Sequence, residues 1–179
     1  QQLSRLSLAH NKLTRLPETL AGFTQITELD IGDNRLVRVP HYLGNFTNLS
    51  RLNLARNQLE DLPEFLGKLT RLTHLNLASN QLKHVPDFIG ALTNLTELEL
   101  YGNQLTSLPD SLSKLQQLHR LDIGGNQLTT IPESIGALHS LDVLDAHNNR
   151  LNDLPESIGN LQQLSRLSLA HNKLTRLPE

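Results

Sequence analysis

Cysteine, methionine and tryptophan are all missing from this chain of 179 residues. Without cysteine there is no disulfide, no thiol nucleophile and no cysteine-ligated zinc, which fits a reducing compartment. Positive charge is not in excess either: Lys and Arg number 16 against 18 for Asp and Glu, a formal net charge of −2. That balance argues against a general binder of nucleic acid or anionic membrane. No apolar run approaches the ~20 residues of a membrane span. No H-E-x-x-H, G-x-S-x-G or phosphate-loop pattern occurs, so neither an enzyme nor a cofactor or resident metal is expected. The opening Gln1-Gln2-Leu3-Ser4 is not a signal-peptide start, and the expectation is a cytoplasmic protein. It is also not an initiator methionine, so the chain reads as a fragment, a processed chain or part of something longer.

What is present is a repeat, and repeats come first in any reading of fold. The prolines are Pro17, Pro40, Pro63, Pro86, Pro109, Pro132, Pro155 and Pro178, every gap being 23 residues. The asparagines Asn11, Asn34, Asn57, Asn80, Asn103, Asn126, Asn149 and Asn172 keep the same step. Repeats begin at Leu3, Ile26, Leu49, Leu72, Leu95, Leu118, Leu141 and Leu164. So narrow a vocabulary suits either a regular repeat array or a designed, consensus-like sequence.

In the third repeat, Leu52-Asn53-Leu54 alternates as a short strand with one buried face. Each repeat must return one layer down, so the strands stack in parallel about 4.8 Å apart. Leu59, Leu62, Leu66 and Leu69 continue the core. Pro63 suits the start of a tight helical turn. Gly67 allows either a positive φ or a close backbone approach. The segment after Pro63 has room for one or two turns of α or 3-10 helix. An amide in the Asn column can donate and accept at once, so the column reads as a structural ladder of stacked side chains. No repeat can bury both of its faces alone, and the ends are the weak points of such a stack.

The pattern L-x-x-L-x-L-x-x-N-x-L, recurring eight times, resembles the leucine-rich-repeat family. The second half, L-P-x-x-[IL]-G-x-L, is similar to the intracellular Ras-group-related and bacterial 23-residue subclasses. The resemblance implies an α/β fold: a right-handed solenoid, or horseshoe segment, with a parallel β-sheet on its concave face and short helical turns on its convex face. It implies one domain over residues 1–179, seven full repeats and a partial eighth from Leu164. It also implies a non-enzymatic protein-interaction scaffold.

Function in such an architecture belongs to the variable strand positions. Glu97, Glu99, Tyr101, Asp122, Asp145 and His147 form an acidic, partly aromatic patch on the concave face, with Arg120 offsetting part of the repulsion. It suits a basic or Arg-bearing protein partner with Tyr101 as anchor; the alternative is a solvated face with no partner. Gly102, Gly124 and Gly125 leave room beside it. On the outside, Tyr42, Phe65 and Phe88 occupy one column in adjacent repeats. They form either a lateral contact for a protein or second copy, or a ridge folded onto its own turns. Phe23 and Phe46 replace a core leucine. Finally, residues 1–18 and 162–179 are identical. Matching ends admit a second reading: a structural or designed unit that self-assembles head to tail, by default into an open filament.

Overall fold

The computed structural model describes residues 2–178; Gln1 and Glu179, the outermost residues of the matching ends, lie outside the described residues. Each repeat contributes one three-residue strand: β1 (Arg5–Ser7), β2 (Glu28–Asp30), β3 (Arg51–Asn53), β4 (His74–Asn76), β5 (Glu97–Glu99), β6 (Arg120–Asp122), β7 (Val143–Asp145) and β8 (Arg166–Ser168). They pair in parallel, in chain order, as one sheet of eight. Register follows the repeat: Leu52 lies beside Leu75, and Asn53 beside Asn76. The chain is therefore a solenoid, with a single apolar core running from Leu16 to Leu161.

Seven return segments each make a five-residue 3-10 helix, from Glu18–Gly22 to Glu156–Asn160. Of the two helix types the sequence allowed, the tighter one forms, because so few residues separate the proline from the next strand. The prolines sit one place earlier than expected. Pro63 precedes the helix in an extended conformation (φ −75°, ψ 145°), and its carbonyl accepts the Leu66 N–H at 3.1 Å. Lacking an N–H, proline leaves no orphan donor at this junction.

Gly67 resolves to the second of its two readings. Among the described residues, left-handed φ is confined to the eighth repeat position: His10, Asp33, Arg56, Ser79, Gly102, Gly125, Asn148 and His171 all have φ between 51° and 67°. Gly67 instead gives space, since a Cβ there would lie 3.2 Å from the Cβ of Phe88, as one on Gly44 would from Phe65. The same glycine meets a serine more tightly further along: a Cβ on Gly136 would come within 2.6 Å of the Ser157 carbonyl oxygen.

The asparagine column does not work by stacking its side chains on one another. Among the described residues no Asn of the column bonds to another. Asn103 Nδ2 donates to the carbonyls of Leu100 in its own repeat and Leu77 in the preceding one, both at 3.0 Å. Its Oδ1 accepts the N–H of Leu82, again in the preceding repeat, at 3.0 Å. Each amide is a staple between consecutive backbones. Six of the eight are buried, from Asn34 to Asn149, whereas Asn11 is exposed and Asn172 half-buried. A second ladder, unread in the sequence, runs along the other end of the strands. There the hydroxyls of Thr27, Ser50, Thr73 and Thr96 each donate to the carbonyl one repeat back.

Replacing Asn103 by leucine strands the Leu82 N–H, whereas the carbonyls of Leu77 and Leu100 keep the amides of Asn80 and Asn126. Asn103→Leu should cost about 1–3 kcal/mol, read as a lower urea midpoint. Asn11→Leu should cost much less, because Asn11 is exposed. Equal midpoints for wild type and Asn103→Leu would contradict the staple.

Candidate partner-binding surface

Fixed backbone geometry leaves the third, fifth and seventh positions of each repeat on the open face of the sheet. The fifth column turns out to be half structural. The side-chain Oδ1 of Asp30, Asn53, Asn76, Asp122 and Asp145 accepts the backbone N–H two residues on, at 3.0 to 3.1 Å. This bond steers the chain out of the strand toward the left-handed turn. The acids Asp122 and Asp145 therefore serve the backbone as well as any partner.

Register brings the expected patch together. Glu99, Asp122 and Asp145 are neighbours across β5, β6 and β7, and Arg120 lies beside Glu97. Burial pushes the Glu99 carboxyl up; Arg120 opposes this, while Asp122 and Glu97 add to it and His74 opposes it. Asp122 is likewise raised by burial, against the pull of the Gly124 N–H, with Asp145 adding to the rise and Arg120 and His147 opposing it. At Asp145 burial also acts upward, but it is outweighed. The His147 ring and backbone N–H, the His147 charge and Ser168 together hold that carboxyl below its ordinary value. Arg120 Nε is buried with no hydrogen-bond partner among the described residues.

Tyr101 and His147 come from repeats five and seven, yet their rings stack at 5.6 Å with 23° between planes. Repeat six makes this contact by having almost no side chain there. A Cβ on Gly124 would lie 2.7 Å from His147 Nδ1, and one on Gly125 would lie 3.0 Å from Tyr101 Cε2. The imidazole is also anchored to Asp145, with Nδ1 2.5 Å from Oδ1. The outer edge of the stack is Tyr101, still 38% exposed.

The convex aromatics separate. Tyr42 is not on an exposed ridge: it is 2% exposed, packs against Phe46, and its hydroxyl donates to the Pro17 carbonyl at 3.0 Å. Phe65 and Phe88 are half-buried against the core. Phe46 is fully interior, while Phe23 is only partly so. Of the two readings of the ridge, packing onto the turns describes Tyr42; Phe65 and Phe88 keep a partial outer face.

A groove of about 590 Å³ runs across β1 to β5, lined from Arg5 to Glu99. It shares only Glu97 and Glu99 with the expected patch, and it extends the candidate surface into the first four repeats. Its signal was in the sequence: the third column there reads Arg5, Glu28, Arg51, His74, Glu97. Among the described residues, no group of three or more His, Asp or Glu could hold a metal ion.

Three family models for leucine-rich repeats match this chain. "Leucine-rich repeat region" matches residues 62–148, "Leucine rich repeat" residues 26–82, and "Leucine Rich Repeat" residues 2–23 and 140–161. The chain belongs to the leucine-rich-repeat family. Among solved structures, this leucine-rich-repeat chain is similar to internalin C2 of Listeria monocytogenes (26% identity, TM-score 0.87, covering 97% of this chain and 74% of that one). It is similar to the plant peptide hormone receptor RGFR1 in complex with RGF2 (32% identity, TM-score 0.85, 97% of this chain and 29% of that one). A leucine-rich-repeat protein of Leptospira interrogans is similar at 30% identity (TM-score 0.72, 99% of this chain and 57% of that one). The chain thus spans 57% of the Leptospira protein and 29% of the plant receptor. No curated protein sequence gives a significant match.

Asp122 provides a test of the electrostatics. A carboxyl whose pKa is raised by folding destabilises the folded state as pH rises through the window above its ordinary value. Asn53 and Asn76 make the same turn bond in the same column, so Asp122→Asn keeps the geometry. The variant should have a higher urea midpoint than wild type at pH 7, and the gap should close below about pH 3, where the wild-type carboxyl is protonated. An unchanged or lower midpoint at pH 7 contradicts the assignment.

Proposed function

We propose that this chain is a non-enzymatic protein-interaction scaffold that takes a protein segment on its concave face. One observation carries the reading: the Tyr101–His147 stack over Gly124 and Gly125. It presents a partly exposed aromatic edge on a rigid base beside Glu99, Asp122 and Asp145. Aromatic anchors ringed by charge concentrate binding energy. Carboxylates held against desolvation favour a basic side chain over water. The plant protein similar to this chain is a peptide hormone receptor in complex with RGF2, which supports a polypeptide as the partner class.

The head-to-tail alternative has less support. Matching ends are identical rather than complementary. A second copy stacked in register on the eighth repeat would set Arg5 beside Arg166, Lys12 beside Lys173 and Arg15 beside Arg176. Like charges directly opposite are destabilising, and Glu28 and Asp153, paired with Arg5 and Arg176, offset them only in part.

A displayed library of random twelve-residue peptides tests the reading. Selected binders should be enriched in Arg or Lys. They should bind Asp122→Lys and Tyr101→Ala at least tenfold more weakly, with both variants keeping the wild-type far-UV circular dichroism, although loss of the Gly124 turn bond lowers the melting temperature of Asp122→Lys. Binders indifferent to both substitutions would overturn it.

A further inference from the structure

The groove across β1 to β5 has a centre whose polar groups all point one way chemically. Its acids already have partners. Glu28 faces Arg5 and Glu97 faces His74, each pair at 3.4 Å. Asp30 Oδ1 accepts the Gly32 N–H and the Asn53 amide at 3.0 and 2.9 Å. Glu99 Oε2 accepts the Asn76 amide at 2.8 Å. The amide oxygens of Asn53 and Asn76 are taken by the N–H groups of Ala55 and Ala78, 3.0 Å each.

What is left over is a set of donors. Arg51, exposed at the middle of the groove, makes no ion pair or side-chain hydrogen bond among the described residues. Its guanidinium carries five N–H groups. Asn53 and Asn76 each donate one amide hydrogen to an acid, and the second has no partner among the described residues. Both sit on the same face, Asn53 two residues along β3 from Arg51 and Asn76 beside it on β4.

We infer that this centre is a seat for a side-chain carboxylate of the bound protein segment. A guanidinium flanked by amide donors matches a carboxylate, and bidentate pairing adds geometric selectivity. The surrounding acids Glu28, Asp30, Glu97 and Glu99 set the upper limit on charge: a monoanion is accommodated, whereas a dianion meets stronger repulsion. The inference deepens the concave-face reading and rests on it. The face is electrically polar along its length: the exposed guanidinium of Arg51 and the amides beside it lie in repeats three and four, and the carboxylates of Glu99, Asp122 and Asp145 in repeats five to seven, where the unpaired Arg120 Nε is buried. Arg51 on β3 and Asp122 on β6 are three strand spacings apart, about 14 Å. An extended chain spans that distance in about four residues. The partner segment therefore carries Glu or Asp about four residues from Arg or Lys.

The same library of displayed twelve-residue peptides decides the matter. Glutamate already occupies this column at Glu28 and Glu97, so Arg51→Glu and Arg51→Gln are both expected to fold; Arg51→Gln keeps the wild-type melting temperature, and Arg51→Glu, directly opposite Glu28, lowers it slightly. Selected peptides should pair an acid and a base at that spacing. Synthetic copies should lose at least tenfold in affinity for Arg51→Glu, and should lose as much on wild type when the acid is changed to its amide. Amidating the peptide C-terminus should change nothing; loss of binding on amidation would assign the seat to a terminal carboxylate and overturn the side-chain assignment. Peptides that tolerate Arg51→Glu but fail on Asp122→Lys would reject the carboxylate seat while leaving concave binding intact. Peptides that tolerate both, or a library that yields no binder, would reject the two together.

Discussion

One side chain per repeat, the asparagine amide, holds this molecule in shape. The strands are three residues long, and a three-residue ladder alone is a weak tie between layers. The amide adds bonds to two consecutive turns at once, as Asn57 does to Leu54, Ile31 and Leu36. This fixes both the path of the turn and the spacing of the layers. Its influence reaches the residue just before it. That residue is left-handed in every repeat, although only Gly102 and Gly125 among the eight are glycine. For the other residues such a conformation costs about 1–2 kcal/mol each, less for Asp and Asn. Buried amide bonds that cannot form otherwise are what offset it.

With the backbone settled by the core and the staples, the open face of the sheet is free to vary. There the chain uses its freedom unevenly. Repeats three and four carry Arg51 with amide-bearing Asn53 and Asn76; repeats five to seven carry the contiguous acids Glu99, Asp122 and Asp145 and the Tyr101–His147 stack. Repeat six supplies neither bulk nor contact above its turn, and that absence lets Tyr101 reach His147. A glycine pair is thus as much a part of the binding surface as the rings it admits.

Most of the fold was legible because it depends on period. A constant 23-residue step forces parallel strands in register, and apolar alternation says which face is buried. The concave patch was legible for the same reason, since register alone brings Glu99, Asp122 and Asp145 side by side. What escaped was whatever depends on distance rather than period. The left-handed column holds His, Asp, Arg, Ser, Gly and Asn, a mixture with no compositional mark. Tyr42 shares its column with Phe65 and Phe88, yet only Tyr42 is fully covered, its hydroxyl reaching the Pro17 carbonyl. The Tyr101–His147 contact joins two members of the seventh column across Gly124, so pairing neighbouring repeats alone does not find it. The groove over the first four repeats went unread because its charges alternate and look self-cancelling. Only the hydrogen-bond partners show that Arg51 is left over.

The most direct measurement of the staple is residue-resolved amide hydrogen exchange. In an unstapled loop, the N–H groups of Leu36, Leu59, Leu82, Leu105 and Leu128 would exchange quickly, because no strand or helix partner holds them. Here each donates to the asparagine of the next repeat at 2.9 to 3.1 Å. The account predicts that these five amides are protected as strongly as the strand amides of the central repeats, through opening of the whole stack. Exchange at loop-like rates, with the strands still protected, would contradict it.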